Sequence, residues 1–277
     1  MEDLNKFLSQ IMEKENRKPR ANFEGYSPTE MTLMLYYPLN EQCPVQIQEL
    51  EDEEYLEIPV FKQSRHLLEI IQKSGELKLT PKGNLPVKVV RELYEESSLK
   101  NWWIEKGGLK NYKEGDIETI TLSRVLLEIS PFIKKRNNKF SLTQKGKKII
   151  QNNRLLFEEF HQIFTEKLNW AYFDGYRDDV PGRFGYTFSL LLLSKYGDQQ
   201  RPVDFYRDKY FEAFPALLQE SPDPELATNS CYSVRTFTRV FTWYDLVQVK
   251  KGRYPEPDLV QKTPLFDKLI KVAPHQP

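Results

Sequence analysis

The stretch that decides the fold is KFSLTQKGKKII at residues 139–150, where an alternating strand passes through Leu-Thr and a Lys-Gly step into a helix. It follows the phrase LLEI at 126–129, and related phrases occur earlier as LLEI at 67–70 and LTPKG at 79–83. A looser third copy fills 234–272. Because each copy joins a helix-like run to a short strand and a second helix-like run, the phrases predict repeated structural units.

The spacing of apolar residues predicts the type of each element in the first copy. Leu67, Leu68 and Ile71 recur at helical spacing, and Gly75 is placed to end that helix. The alternation at 77–80 is typical of a half-buried strand. The pattern therefore predicts a mainly α protein with small β-hairpins.

The segment at 139–150 resembles the wing strand and following helix of MarR-like and PadR-like bacterial regulators. Segments at 78–90 and 263–267 are also similar to tandem segments in uncharacterised bacterial proteins. The resemblance implies repeated winged-helix-like units. It implies little about activity, because winged helices bind DNA, RNA or other proteins. In this pattern Thr143 caps the next helix and Gly146 permits a close turn.

We predict four segments along the chain. The first contains a capping box, with Ser27 at the N-cap, Pro28 at the first helical position and Glu30 at the third. The segments are an N-terminal helical cap at 1–58, two winged-helix-like repeats at 59–155, a helical middle segment at 156–227 and a C-terminal winged-helix-like unit at 228–277.

Composition limits the class of protein. The 277 residues include 40 basic and 40 acidic side chains, and this neutral balance counts against a dedicated nucleic-acid binder.

Two distant cysteines, Cys43 and Cys231, favour a reducing compartment. The first 20 residues lack the apolar core of a signal peptide, and the apolar run at 188–193 is too short to span a membrane. We expect a cytoplasmic protein without a membrane partner.

A basic segment gives the best functional signal. Eight positive charges lie between residues 130 and 157 with no acidic residue among them. On a wing and the helix after it, such side chains would neutralise nucleic-acid phosphates. The alternative is a solvated basic face paired with the acidic stretch at 49–57. The eight are Lys134, Lys135, Arg136, Lys139, Lys145, Lys147, Lys148 and Arg154.

The third unit offers a second candidate face. At helical spacing, the helix-like run at 234–244 places its apolar residues on one side and Arg235, Thr238, Arg239 and Thr242 on the other. In a recognition helix, Arg235 and Arg239 would contact the edges of bases in a groove. The alternative is the solvated side of an amphipathic helix.

Catalytic templates are mostly missing. The three histidines, His66, His161 and His275, are scattered, and no phosphate-binding loop or nucleophile elbow occurs. One carboxylate cluster, Asp174, Asp178 and Asp179 with Arg177 and Arg183, has the residue types to hold Mg²⁺ or to act as an acid–base pair. Loops of this composition are more often turns with local ion pairs, so no cofactor is predicted.

These observations favour a non-enzymatic binding protein, a bacterial regulator or accessory factor that contacts DNA or RNA through the basic segment. The runner-up is a protein-interaction scaffold, which the neutral net charge and the acidic stretch support. A metal-dependent enzyme using the Asp174 loop ranks below both, and oligomeric state stays open.

Overall fold

The computed structural model describes residues 2–176, 181–219, 230–253 and 255–276. The chain is 56% helical, and its strands form antiparallel sheets of two or three strands. The predicted class, mainly α with small β-hairpins, is therefore confirmed. Within those ranges no helix combines the length and apolarity needed to cross a bilayer.

The helices and strands have the following bounds. The α-helices are α1 (Glu2–Asn16), α2 (Pro28–Tyr36), α3 (Pro59–Ser74), α4 (Val87–Glu96), α5 (Trp102–Glu105), α6 (Glu118–Ile129), α7 (Gln144–Ile149), α8 (Asn153–Gln162), α9 (Tyr186–Tyr196), α10 (Val203–Ala213), α11 (Ala216–Gln219) and α12 (Pro264–Leu269). Two π-helical segments span Ile163–Lys167 and Val234–Phe241. The strands are β1 (Val45–Ile47), β2 (Leu77–Lys78), β3 (Ile133–Arg136), β4 (Lys139–Leu142), β5 (Arg201–Pro202), β6 (Val247–Lys250), β7 (Leu259–Lys262) and β8 (Ile270–Val272).

The chain divides into two compact units. The terminal unit contains Met1–Gln48, Asp174–Thr242 and Leu246–Pro277, and the central unit contains Glu49–Phe173 and Trp243–Asp245. Residues far apart in the chain therefore share the terminal unit. The division predicted at residues 58, 155 and 227 instead follows chain order.

The central unit is built around a three-stranded sheet of order β2-β4-β3. Strands β3 and β4 form a hairpin closed by Asn137 and Asn138, whose positive φ angles of 49° and 56° suit a two-residue turn. Helix α3 packs against α6, and the predicted apolar face of α3 is buried there. The order of elements is α3–β2–α4–α6–β3–β4, with the short α5 between α4 and α6.

The terminal unit repeats this order with α9, β5, α10, the π-helix Val234–Phe241, β6 and β7. Its three strands lie in the corresponding order β5-β7-β6. Helix α9 is buried over residues 186–193, as its apolar sequence predicts. A second sheet pairs β1 with β8, which joins the two ends of the chain within the unit.

The two repeated phrases contribute neighbouring strands to a single sheet. Strand β2 precedes the first Leu-Thr and pairs with β4, which ends at the second, with Leu77 opposite Phe140. The turn after β2 is closed by bonds between Thr80 and Asn84, and the chain then enters α4 without forming a partner strand. The sequence pattern predicts a separate repeat for each phrase, whereas in the structure the two strands lie side by side.

The Leu-Thr-x-Lys-Gly step works as the sequence predicts. The Thr143 hydroxyl accepts a hydrogen bond from the Gly146 N–H at 3.0 Å and so caps α7. A side-chain Cβ at Gly146 would lie 2.1 Å from the carbonyl oxygen of Phe132, so only glycine fits this approach. In the third copy, Thr263 caps α12 in the same way.

Aromatic side chains form much of the core of the central unit. Phe61 and Phe157 meet edge to face at 5.5 Å, and His161 stacks on Phe157 at 5.7 Å. His161 also meets Tyr244 edge to face. Burial lowers the pKa of His161 from 6.5 to about 4. His161 is therefore a neutral part of this core at pH 7.

We expect Gly146→Ala to lower the free energy of unfolding of the central unit by about 1–3 kcal/mol, since backbone must move to admit the methyl group. Gly115→Ala is the matched control, because a Cβ there meets no atom within 4 Å. Tryptophan fluorescence during urea unfolding reports on this unit alone, because all four tryptophans lie in it: Trp102, Trp103, Trp170 and Trp243. Equal losses in the two variants would contradict the close packing.

Lowering the pH from 7 to 4 should destabilise the wild-type central unit more than a His161→Phe variant, by roughly 3 kcal/mol at pH 4. The folded-state pKa lies below the unfolded value, so only the unfolded chain gains a proton at this position between pH 6.5 and 4. The stabilisation is thus fully present above pH 6.5 and is lost as pH falls toward 4. The measurement is urea unfolding across this range, and parallel curves for the two proteins would show that His161 does not titrate this way.

Candidate nucleic-acid interface

One face of the central sheet carries a row of basic side chains. Residues directly opposite in an antiparallel sheet point to the same side. Lys78 lies opposite Lys139, and Lys139 lies opposite Arg136, so the row crosses all three strands. Lys134 is two residues before Arg136 and points to the same side. We call Lys78, Lys134, Arg136 and Lys139 the basic sheet face.

The basic sheet face is turned to solvent because the opposite side of the same sheet is buried in the core. Leu77, Phe140 and Leu142 are buried, and the period of two in a strand sends their neighbours outward. Lys78 and Lys134 are accordingly exposed. The hydrophobic pattern of β2 and β4 therefore determines where the charges lie.

The basic sheet face carries little neutralising charge. Glu76 accepts a hydrogen bond from Lys139 at 2.6 Å. That bond, followed by the charges of Lys139 and Lys134, lowers the pKa of Glu76. Among the described residues, no acidic group lies within 4.0 Å of Lys78, Lys134 or Arg136. Like charges directly opposite one another destabilise a sheet, so this arrangement is unfavourable in the isolated protein.

Lys135 is separated from its neighbours in sequence. It lies opposite Phe140, on the other side of β3, and its Nζ is 2.6 Å from a Glu128 carboxylate oxygen. The same Nζ is 5.7 Å from the centre of the Phe140 ring. Lys135 thus packs at the edge of the core and does not extend the basic sheet face.

The lysines of α7 form a separate group. Lys145 pairs with Glu159 of α8 at 2.6 Å. Lys147 and Lys148 are exposed, and no acid in the described ranges lies within 4.0 Å of either. They follow β4 in the chain and are not part of the basic row across the strands.

Arg154 makes the contact with the acidic stretch that the sequence analysis offered as an alternative. Its guanidinium pairs with Glu49, and with Glu158 at 2.9 Å. The adjacent Asn153 amide donates to an Asp52 carboxylate oxygen at 2.9 Å. This end of the basic segment is therefore tied to the acidic stretch.

Helix α6 has no unpaired basic side chain on its outer surface within the part of the chain that the structure describes. Arg124 is held between Glu114 and Glu128 of the same unit. The other half-exposed positions of α6 include Glu118 and Thr121. The outer surface of α6 therefore has acidic residues, and its arginine is already paired.

Arg235 lies inside the terminal unit. Its side chain is 1% exposed; its Nε donates to Asp174 at 2.9 Å and its Nη1 to the carbonyl of Pro181 at 2.8 Å. The expectation that Arg235 lies on the solvated face is wrong, because it depends on 3.6 residues per turn. The segment Val234–Phe241 is a π-helix with i→i+5 bonds, and this winding turns Arg235 toward the core.

Arg239 is only partly exposed and lies 3.7 Å from the same Asp174 carboxylate. Asp174 is therefore engaged with two arginines. Asp178 and Asp179, the other carboxylates of the predicted cluster, lie outside the described residues. Within the described residues, no group of three or more His, Cys, Asp or Glu side chains is placed to hold a metal ion.

Sequence reasoning missed Lys78. The alternation at 77–80 marks it as the outward residue of a strand, but its place beside Lys139 depends on pairing with a strand about 60 residues later. The structure brings together Lys134, Arg136 and Lys139 of the predicted set, adds Lys78, and separates the others from them.

Comparison of this chain with protein-family models, with curated proteins and with solved structures finds no match.

Arg136→Glu should raise the free energy of unfolding of the central unit by roughly 0.2–1 kcal/mol, because it replaces a like-charge pair with Lys139 by an opposite-charge pair. Lys135→Glu on the same strand is the matched control. It sets two carboxylates together at Glu128 and should lower stability by a similar amount. The readout is tryptophan fluorescence in urea. A loss of stability in both variants would show that the outer face is not under charge repulsion.

Proposed function

We propose that this chain is a non-enzymatic winged-helix-type binding protein that contacts nucleic-acid phosphates through the basic sheet face. The order helix–strand–helix–helix–strand–strand, present in both units, supports the fold assignment. So does the similarity of residues 139–150 to the wing and following helix of bacterial regulators. On this assignment, β3 and β4 are the wing strands of the central unit.

One observation carries the functional proposal. Four basic side chains from three strands share one face, and among the described residues only Glu76 pairs with them. Mutual repulsion would be relieved by a ligand with closely spaced negative charges. A nucleic-acid backbone supplies these, and contacts of Lys and Arg with phosphates release counterions.

The arrangement favours binding without sequence preference. Sequence is read by side chains that reach base edges in the major groove. The outer surface of α6 offers Glu118 and a paired Arg124, and Arg235 in the terminal unit is buried. The proposed contacts are therefore with the phosphate backbone.

The second candidate is the protein-interaction scaffold. The pairing of Lys135, Lys145 and Arg154 with carboxylates favours it, since these basic residues are already used within the central unit. In that case the helices and sheet of each unit would serve packing only.

The test is fluorescence anisotropy with mixed-sequence duplex DNA at several salt concentrations. We expect a Kd of roughly 1–100 µM at low salt and a slope of log Kd against log salt of about 3–4, for about four phosphate contacts. Reversing two charges with Lys134→Glu and Arg136→Glu should lower the slope by about 2 and weaken binding severalfold or more. Both side chains are exposed, so the variant should fold.

A matched control carries the same change in net charge elsewhere. Lys6→Glu with Lys14→Glu alters two exposed residues of α1 in the terminal unit and should leave the affinity nearly unchanged. Equal weakening in both double variants would point to net charge rather than to the sheet face. No binding by the wild type at low salt would remove the nucleic-acid proposal and leave the scaffold.

A further inference from the structure

Two adjacent tryptophans stand in solvent in the central unit. Trp102 is 66% exposed and Trp103 is 55% exposed, whereas Trp170 and Trp243 are buried. Their ring centres are 5.7 Å apart with an interplanar angle of 33°. Single exposed apolar side chains are common on soluble domains, whereas adjacent large ones that form a patch often mark binding sites.

The backbone holds this pair in place. The side-chain oxygen of Asn101 accepts bonds from the N–H groups of Trp103 at 2.9 Å and Ile104 at 3.4 Å, which caps the start of α5. At the other end, Gly107 adopts a φ of 74°, and the Gly108 N–H donates to the Trp103 carbonyl at 2.9 Å. The short turn is thus fixed at both ends.

Gly108 also fixes the indole of Trp103. A Cβ at this position would lie 2.5 Å from a ring carbon of Trp103, so the ring lies directly against the glycine backbone. The indole is therefore supported on one side by the main chain while more than half of it faces solvent. The Trp103 indole is therefore held in a fixed position with one side open to solvent.

Three lysines follow the pair within ten residues of the sequence. Lys106, Lys110 and Lys113 are exposed, and among the described residues no carboxylate lies within 4.0 Å of their side-chain nitrogens, although Asp116 accepts a hydrogen bond from the backbone N–H of Lys113 at 2.8 Å. The nearest acid in sequence, Glu105, accepts a hydrogen bond from the Tyr94 hydroxyl at 2.8 Å. The loop therefore offers two exposed indoles together with three lysines whose side chains pair with no acid among the described residues.

We propose that this turn, which we call the tryptophan platform (Trp102 and Trp103), stacks unpaired bases of a single-stranded nucleic acid. The inference deepens the proposed function and rests on it, since the basic sheet face would hold phosphates of the same ligand. Every base has a flat face that stacks on an aromatic ring, and nearby cations hold the backbone. In a duplex those faces are stacked on one another and are not available to the platform.

The lysines near the platform favour a single-stranded nucleic acid over a protein partner as the ligand. The cores of protein–protein interfaces are depleted in lysine and surround their aromatic anchors with apolar contacts. Here the neighbours in sequence include two glycines and three lysines whose side chains form no ion pair among the described residues. A single-stranded nucleic acid has bases that can stack on the indoles and phosphates that can contact the lysines.

The probe is a 5′-labelled dT15 strand, compared by anisotropy with a labelled duplex of the same length at the same salt concentration. Wild-type protein should bind the single strand about tenfold or more tightly than the duplex, because each stacked base adds to the affinity. Trp102→Ala with Trp103→Ala should reduce binding of dT15 to the level of the duplex and leave duplex binding unchanged. Phe at both positions retains a ring and should keep most of the preference.

Intrinsic fluorescence gives an independent readout. Because Trp170 and Trp243 are buried, quenching by dT15 reports on the exposed pair. We expect dT15 to quench the tryptophan fluorescence of the wild-type protein and the duplex to leave it unchanged. An unchanged preference for dT15 in the Ala variant, or no preference in the wild type, would overturn the platform while leaving phosphate binding by the sheet face intact.

The remaining outcomes separate the two proposals. Binding of dT15 that depends on the tryptophans but is unaffected by the Lys134→Glu and Arg136→Glu variant supports the platform and removes the basic sheet face. No binding of dT15 or duplex by wild-type protein at low salt overturns both. In that case the exposed tryptophans would fit a protein partner instead.

Discussion

The pairing of β2 with β4 is the constraint on which the central unit depends. It spans only two residues, Leu77 and Lys78, yet it joins the segment after α3 to the hairpin after α6. Because side chains alternate along a strand, a shift of one residue would turn Leu77 outward and Lys78 into the core. The register that buries Leu77 against Phe140 is the same one that aligns Lys78 with Lys139 and Arg136. Core packing and surface charge therefore have a single cause in this sheet.

Features whose partners are close in the chain could be predicted from the sequence. The capping box of Ser27 and Glu30, the end of α3 at Gly75 and the cap of α7 by Thr143 all depend on neighbours within a few residues. The mainly helical class follows from the same local signals. The burial of α9 also follows from local sequence, because residues 190–193 are four consecutive leucines.

Features that depend on partners from other elements of the fold could not be predicted from the sequence. The pairing of Lys135 with Glu128, seven residues earlier, depends on how β3 packs against α6, and among the described residues no acid pairs with Lys134. Lys78 joined the candidate site only through a strand pairing across the repeat. Arg235 was misplaced for another reason, since a π-helix changes the number of residues per turn and so the face on which each side chain lies. About half of the predicted basic residues are consequently engaged within the protein rather than available to a ligand.

The pairing of strands β1 and β8, which lie far apart in the sequence, has a consequence for synthesis on the ribosome. Strand β1 pairs with β8, and the Tyr26 hydroxyl donates to the carbonyl of Ala273, 247 residues later. At about 5–20 residues per second, roughly 10–50 s separate the translation of the two partners. The main segment of the central unit is made within that interval and has all but three of its residues at hand. The early part of the terminal unit, by contrast, keeps strand β1 unpaired until residues 270–272 emerge, so this unit is completed later than the main segment of the central unit.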